Sequence, residues 1–313
     1  MTDISAIRTG RMPTQLVGGW ELGLLVLMAL LFAIGALINP AFFGSGEAFL
    51  AILRDTARYA VVAVGMTFVI VNKDLDLSVG STNGLVGVAF SLLFAPSFAD
   101  WGPLPATLFC LVLGALIGLI NGALVTILRV PSFIATLTML LIGRGIILGL
   151  TGGKSIGYAV KARDYPDFFH LGETNAFGFN NQIPIALAVA AVGAVVLAKT
   201  RWGYETFATG GNEQAAIYAG IPTRWVRIRA YLLSSLCATV AGLMSITQDK
   251  GVTAQAGLSS ELIVIAAVII GGASILGGRG RVVGACLGAM LTVVIDKVLR
   301  EGWPTTRVIQ IDG

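Results

Sequence analysis

The sequence predicts an all-α, polytopic integral membrane protein, and three observations carry that prediction. Hydrophobic residues fill 56% of the 313 positions and charged residues only 12%, whereas soluble domains average about 25% charged. The mean hydropathy is +0.85. Uncharged apolar stretches recur along the whole chain, several of them near the ~20 residues that a helix needs to cross a hydrocarbon layer about 30 Å thick. The 40 glycines suit helices that approach closely through small side chains. The formal net charge of +4 would suggest nucleic acid in a soluble chain. In a membrane protein it marks helix ends instead, and no nucleic-acid partner is expected.

Nine apolar segments follow in order. The first, Leu22–Ile38, comes after Arg8 and Arg11 without a small-residue cleavage site, so it reads as a retained span rather than a signal peptide. Then come Ala57–Val71, Ser78–Ala95, Leu104–Ile127, Ser132–Leu150, Ile183–Ala198, Ala230–Ile246, Glu261–Gly272 and Val282–Val294. Segments two, eight and nine are short, since a 13-residue helix covers only about 20 Å. Either they are helices broken around a cavity, or they run on into polar flanks. Gly114 and Gly118 share a four-residue spacing with Gly284 and Gly288, which suits helix crossing but establishes no internal repeat.

Alternate loops, counted with the N-terminus inside, hold eleven of the 21 lysines and arginines on that side. That majority is weak, and the loop Lys199–Arg229 decides it, with five basic residues against two acidic ones near the membrane ends. The N-terminus and residues 199–229 are therefore placed in the cytoplasm. The loop Thr151–Gln182, with Tyr158, Tyr165, Phe168 and Phe169, then faces outward. Its length implies structure of its own. Its aromatic, mixed-charge surface reads either as a seat for a soluble partner or as an interfacial anchor.

Chemistry-bearing residues are sparse. Cys110, Cys237 and Cys286 each sit alone in apolar runs and read as small buried residues. His170, the single histidine, completes no metal site or catalytic dyad, so no catalytic residue, metal or bound cofactor is expected. Asp74 and Asp76 form one DLD without a second acidic cluster. No GxxxxGK[ST] phosphate loop is present, and Gly277–Gly280 (GGRG) lacks its Lys-Ser/Thr ending.

One loop segment, GGNEQAAIYAGIP at Gly210–Pro222, parses as a short helix. Asn212 is a suitable N-cap, Glu213 suits the positive helix start, Gly220 suits a left-handed C-terminal turn, and Pro222 ends it. About two turns are unstable alone in water. The mostly apolar Ala215, Ala216, Ile217, Tyr218 and Ala219 must therefore dock, either on the protein's own membrane helices or in a groove of a partner.

Several motifs together resemble the membrane permeases of ATP-binding-cassette importers for ribose, xylose, arabinose, galactofuranose and related sugars. They are DLSVGS (Asp76–Ser81), NG (Asn121–Gly122), PSFIATL (Pro131–Leu137), GGNEQAA (Gly210–Ala216) with AGI (Ala219–Ile221), and ELIVIAAVIIGGASILGGRG (Glu261–Gly280). They occur in the family's order over residues 76–280.

The resemblance implies a single permease domain over 1–313 with about ten membrane helices, of which nine are visible. It also implies a bacterial inner-membrane location, a second permease copy, cytoplasmic ATPase subunits that bind the ATP, and a periplasmic sugar-binding protein. Asn212, Glu213, Ala215, Ala216, Ile217, Tyr218 and Gly220 are then the coupling helix to the ATPase, and Asp76, Ser78, Gly80, Ser81, Gly271, Gly272, Gly277 and Gly278 are structural motif positions. By parity, nine spans leave the C-terminus outside, so either a tenth helix is missing or a break has been overlooked.

Asn83, Asn121, Thr136, Arg144 and Glu261 are candidates for the translocation path. Glu261 reads equally as a helix cap, and Arg144 as paired with a carbonyl cluster or an acidic group. The family that the chain resembles commonly carries Gly-Gly where this chain has Lys73–Asp74, and those two residues are expected to form a local ion pair at the cytoplasmic boundary, dispensable for transport. The alternative function is an ion-coupled secondary transporter with Asp74, Asp76 and Glu261 as relay.

Overall fold

A computed structural model of the chain describes residues 19–43, 45–175 and 179–301. Arg8, Arg11 and everything beyond Glu301, including the question of a tenth helix, lie outside the described residues. The elements in order are α1 (Gly19–Ile38), α2 (Pro40–Phe43), α3 (Gly46–Val71), α4 (Val79–Phe94), α5 (Pro103–Thr126) and α6 (Ser132–Thr151). Then follow β1 (Ile156–Gly157), α7 (Ala159–Ala162), α8 (Pro166–Phe169), α9 (Gln182–Lys199), α10 (Arg201–Gly211), α11 (Glu213–Tyr218) and α12 (Thr223–Asp249). The chain continues through β2 (Gly251–Val252), α13 (Ser260–Ile270) and α14 (Val282–Glu301).

Each of the nine apolar segments falls on one of these helices, and six helices are long and apolar enough to cross a membrane. The protein is thus a polytopic all-α membrane protein. The short segments resolve differently from one another. Segment two starts at Gly46, where the Ser45 hydroxyl caps the Ala48 N–H at 3.2 Å, and segment nine runs on to Glu301. The eighth stays short: α13 has 11 residues and covers about 16 Å. α4 is also short, with 16 residues. These two short helices adjoin the non-helical stretches 72–78 and 271–281.

The core is built on the second half of α3, where nearly every residue from Ala57 to Val71 is buried, with α12, α5 and α13 packed around it. Gly114 and Gly118 of α5 face Thr239 and Leu232 of α12, leaving no room for a side chain, and Gly284 and Gly288 of α14 back onto Gly271 and Ala267 at α13. Both four-residue spacings are helix-crossing seams. Polar side chains inside the helices bond their own backbone: Thr67 donates to Ala63 O, Ser91 to Gly87 O and Thr126 to Gly122 O. The outward sides of α1, α5, α6 and α9 leave large apolar side chains exposed, as a lipid-facing surface requires. Cys110 and Cys237 are buried and Cys286 partly so, all three as free thiols.

Two ends are distinct. The stretches 72–78, 127–131, 199–229 and 271–281, which the charge count put on one side, converge on one end, termed the basic end. The other, far end carries 95–102, 152–175 and 250–259. There β1 and β2 pair as an antiparallel ribbon, Ile156 opposite Val252.

Tyr158, Tyr165, Phe168 and Phe169 of the 151–182 loop pack inward rather than forming an outward surface. Tyr158 and Phe169 are buried at 3% and 1%, packed with Tyr165 and Phe168 around Phe90 and Phe94 of α4. Lys161 is tucked beneath them. Its ammonium donates to Phe94 O at 2.7 Å and Trp101 O at 3.0 Å, pairs with Asp100, and lies 4.6 Å from the Phe94 ring. Lys250 pairs with Glu173 at 2.9 Å, and this ammonium holds the Glu173 carboxyl below the usual carboxylate range.

Candidate functional site: the basic end and the chamber above it

At the basic end α10 and α11 form a corner. Thr200 caps α10 by accepting from Gly203 N at 3.3 Å, and Asn212 caps α11 by accepting from Ala215 N at 3.0 Å. Gly220 takes φ +79° and ends α11, with its N–H on Ile217 O at 2.9 Å and that of Ile221 on Ala216 O at 3.0 Å. On α11 only Ala216 is buried, at 3%, while Tyr218 is 81% and Ile217 48% exposed. Of the two docking surfaces open to α11, its own bundle and a partner, Ala216 takes the first. It faces inward, because one side of so short a helix must rest on the chain's own bundle.

α10 seats on the bundle through Trp202 against Phe68, centroids 4.9 Å apart, and through Gly210. Gly210 meets the Val71 carbonyl and the Gly277–Gly278 turn backbone to backbone, and Gly278 N donates to Val71 O at 2.9 Å. Gly277 and Gly278 have φ of +79° and +71°, a turn that only glycine adopts without strain. One corner therefore bears on both non-helical stretches.

The segment 72–78 is pinned by a buried polar chain. Asp74, 5% exposed, accepts two bonds from Arg227 of α12, from Nε and Nη2 at 2.7 Å each. Arg227 Nη1 also lies 3.6 Å from Glu213 of α11. The expected Lys73–Asp74 pair is thus corrected: Lys73 is exposed at φ +66°, and Asp74 turns inward to the guanidinium, a planar fork that matches a carboxylate. Leu75 N–H donates to Ser132 Oγ at 3.4 Å, and Thr136 Oγ1 donates to Leu75 O at 3.3 Å. Asp76 accepts from Ser78 N at 3.0 Å and Ser78 Oγ at 2.6 Å, and Asn121 Nδ2 donates to that same hydroxyl at 2.8 Å. Asp76 so organises the entry to α4.

The path candidates are not gathered in one cavity. Asn121 and Thr136 are fully buried in this network. Glu261, 8% exposed at the start of α13, lies against Gly80 of α4, where any side chain would collide with its carboxylate. Ser81 packs on Gly143 of α6. Arg144 Nη1 donates to Ala256 O at 2.7 Å. Asn83 alone of the five lines a chamber of about 580 Å³ at the far end, together with Tyr59, Ser245, Asp249, Lys250 and Thr253, beside the β1–β2 ribbon. That volume lies within the ~300–1,000 Å³ of small-molecule sites. A second cleft of about 410 Å³ at the basic end, between the 127–131 turn and α11, is lined by Arg129, Arg224, Arg227 and Ile217. No group of three His, Cys, Asp or Glu side chains suited to hold a metal occurs among the described residues.

The sequence missed Arg227, Ser132 and Lys161. The signal for the first was present: an acid beside a buried motif needs a cationic partner, though nothing local names one 153 positions away.

Residues 48–309 match the family described as branched-chain amino acid transport system, permease component. The chain belongs to this family of importer permeases. It is 35% identical to the ribose import permease protein of Haemophilus influenzae over 88% of this chain and 83% of that one. To the ribose import permease protein of Escherichia coli K12 it is 36% identical, over 85% and 82%. To the autoinducer 2 import system permease protein of Yersinia enterocolitica it is 36% identical, over 88% and 74%. No solved structure matches the chain. As the permease of an ATP-binding-cassette import system, it works with an ATPase and a binding protein.

Proposed function

We propose that this permease imports a monosaccharide or related polyol across the bacterial inner membrane, with its basic end and N-terminus in the cytoplasm. A second permease copy pairs with it, a periplasmic binding protein delivers the sugar to the far-end chamber, and ATP binds to the ATPase subunits. The hydroxyl, amide and aromatic groups around Asn83 and Tyr59 suit a polyhydroxylated ligand. The observation that carries the reading is α11: a capped six-residue helix at the basic end that leaves Ile217 and Tyr218 uncovered. Such a helix fits a groove on the ATPase. Ion coupling has no observation in its favour, since Asp74 is already held by Arg227 and Asp76 by Ser78.

The test is co-purification of the ATPase with the permease. Ile217→Asp with Tyr218→Asp charges the uncovered face without touching the bundle, so the ATPase should be lost while the thermal midpoint of the permease holds. Retention of the ATPase refutes the docking role. Uptake that persists under an uncoupler, with ATP maintained, is the matching expectation in cells.

A further inference from the structure

We propose that Arg227 is a positioning residue that couples α11 to the entrance of α4, by holding Glu213 and Asp74 on one guanidinium. This rests on the reading of α11 as the helix that docks on the ATPase. Three features carry it. First, the bidentate bond to Asp74 uses Nε and Nη2 and leaves Nη1 for Glu213, so the rigid fork joins two elements that share no other ion pair. Second, the two links differ in strength. The Asp74 side is buried with 2.7 Å bonds, and the Glu213 side is half exposed at 3.6 Å. A tilt of α11 therefore closes or opens the outer link while the inner one stays intact. Third, the inner link ends in the hydrogen-bonded run Leu75, Asp76, Ser78 and Asn121, and Asn83, one turn into α4, lines the chamber.

The glycine seat at Gly210 already sets α10 on this region. The guanidinium adds a connection whose state depends on α11 itself. Docking at one end is thereby reported to the first turn of the short helix that borders the substrate space, across side chains and without passage through the lipid-facing helices.

The experiment uses the full permease with its ATPase in nanodiscs, carrying Cys110→Ala, Cys237→Ala and Cys286→Ala, and a spin label at Lys73→Cys, an exposed position beside Asp74. Trapping with ATP and vanadate should change the label's mobility in the parent protein. Glu213→Gln, which keeps the Asp74 pair, and Asp74→Asn, which lies away from α11, should each shrink that change by about fivefold or more at equal bound ATPase, the low end of a coupling free energy. A full response in either variant overturns the inference. Should Asp74→Asn not fold, the Glu213→Gln result decides. Should the Ile217→Asp, Tyr218→Asp protein retain its ATPase, the docking reading fails, whereas a bound ATPase with an undiminished label response removes the relay alone.

Discussion

Gly210→Ala and Gly211→Ala, one position apart on the last turn of α10, should have opposite effects. A Cβ added at Gly210 falls on the Val71 carbonyl, 2.7 Å from its carbon and 2.9 Å from the Gly278 nitrogen. The carbonyl oxygen is nearer still, and non-bonded contacts settle near 3.5–4.0 Å, so α10 must retreat by more than about 1 Å. Both obstacles are backbone, and neither can rotate aside. Retreat loosens the Trp202–Phe68 contact and disturbs the 2.9 Å bond from Gly278 N to Val71 O. Overpacking at about 1–3 kcal/mol and a weakened hydrogen bond at about 1 kcal/mol give a loss of about 3 kcal/mol. At Gly211 the nearest atom to an added Cβ is 4.0 Å away. Alanine there meets no obstacle and gains up to about 1 kcal/mol of helix propensity. Thermal unfolding in nanodiscs reads the difference, at roughly 2 °C per kcal/mol for a chain of this size. Gly210→Ala should fall by about 6 °C while Gly211→Ala holds or rises. Equal midpoints for the two variants would refute the backbone seat.

Lys73→Gly should stabilise the protein by about 1 kcal/mol, because φ +66° strains any residue with a Cβ and Lys73 gives up no buried partner; a raised midpoint with normal uptake checks it. Lys161→Met keeps the bulk but leaves the buried Phe94 carbonyl without its donor, for a loss of about 2 kcal/mol read as a fall of about 4 °C.

Much of this architecture was legible from local pattern. Helices in a membrane must satisfy their own backbone, so apolar run length alone located all nine segments. α11 was legible because capping is a local code: Asn212, Gly220 and Pro222 act within a few residues of the helix they bound. What escaped was set by distant parts. The true start of α3 lay behind Arg54, Asp55 and Arg58, charges that hide a span; Asp55 pairs with both arginines and, from α14, with Lys297 at 3.1 Å. The aromatic residues of 151–182 read as surface because nothing near them announces Phe90 and Phe94. Asp74 was matched to its neighbour Lys73, but a residue forced to positive φ points its side chain away, and the partner came from α12. The path candidates separated for a similar reason: a polar residue at membrane depth marks a polar environment, and at Asn121 and Thr136 that environment is the scaffold rather than the chamber.

The glycine seat has a geometric corollary. Gly210 rests on the last residue of α3, a few residues ahead of α4, and on the turn that follows α13. With no side chains in the joint there is no cushion to absorb displacement, and the same push arrives at both short helices together. The floor of the bundle behaves as a single keystone: a change that shifts it cannot release one short helix and spare the other.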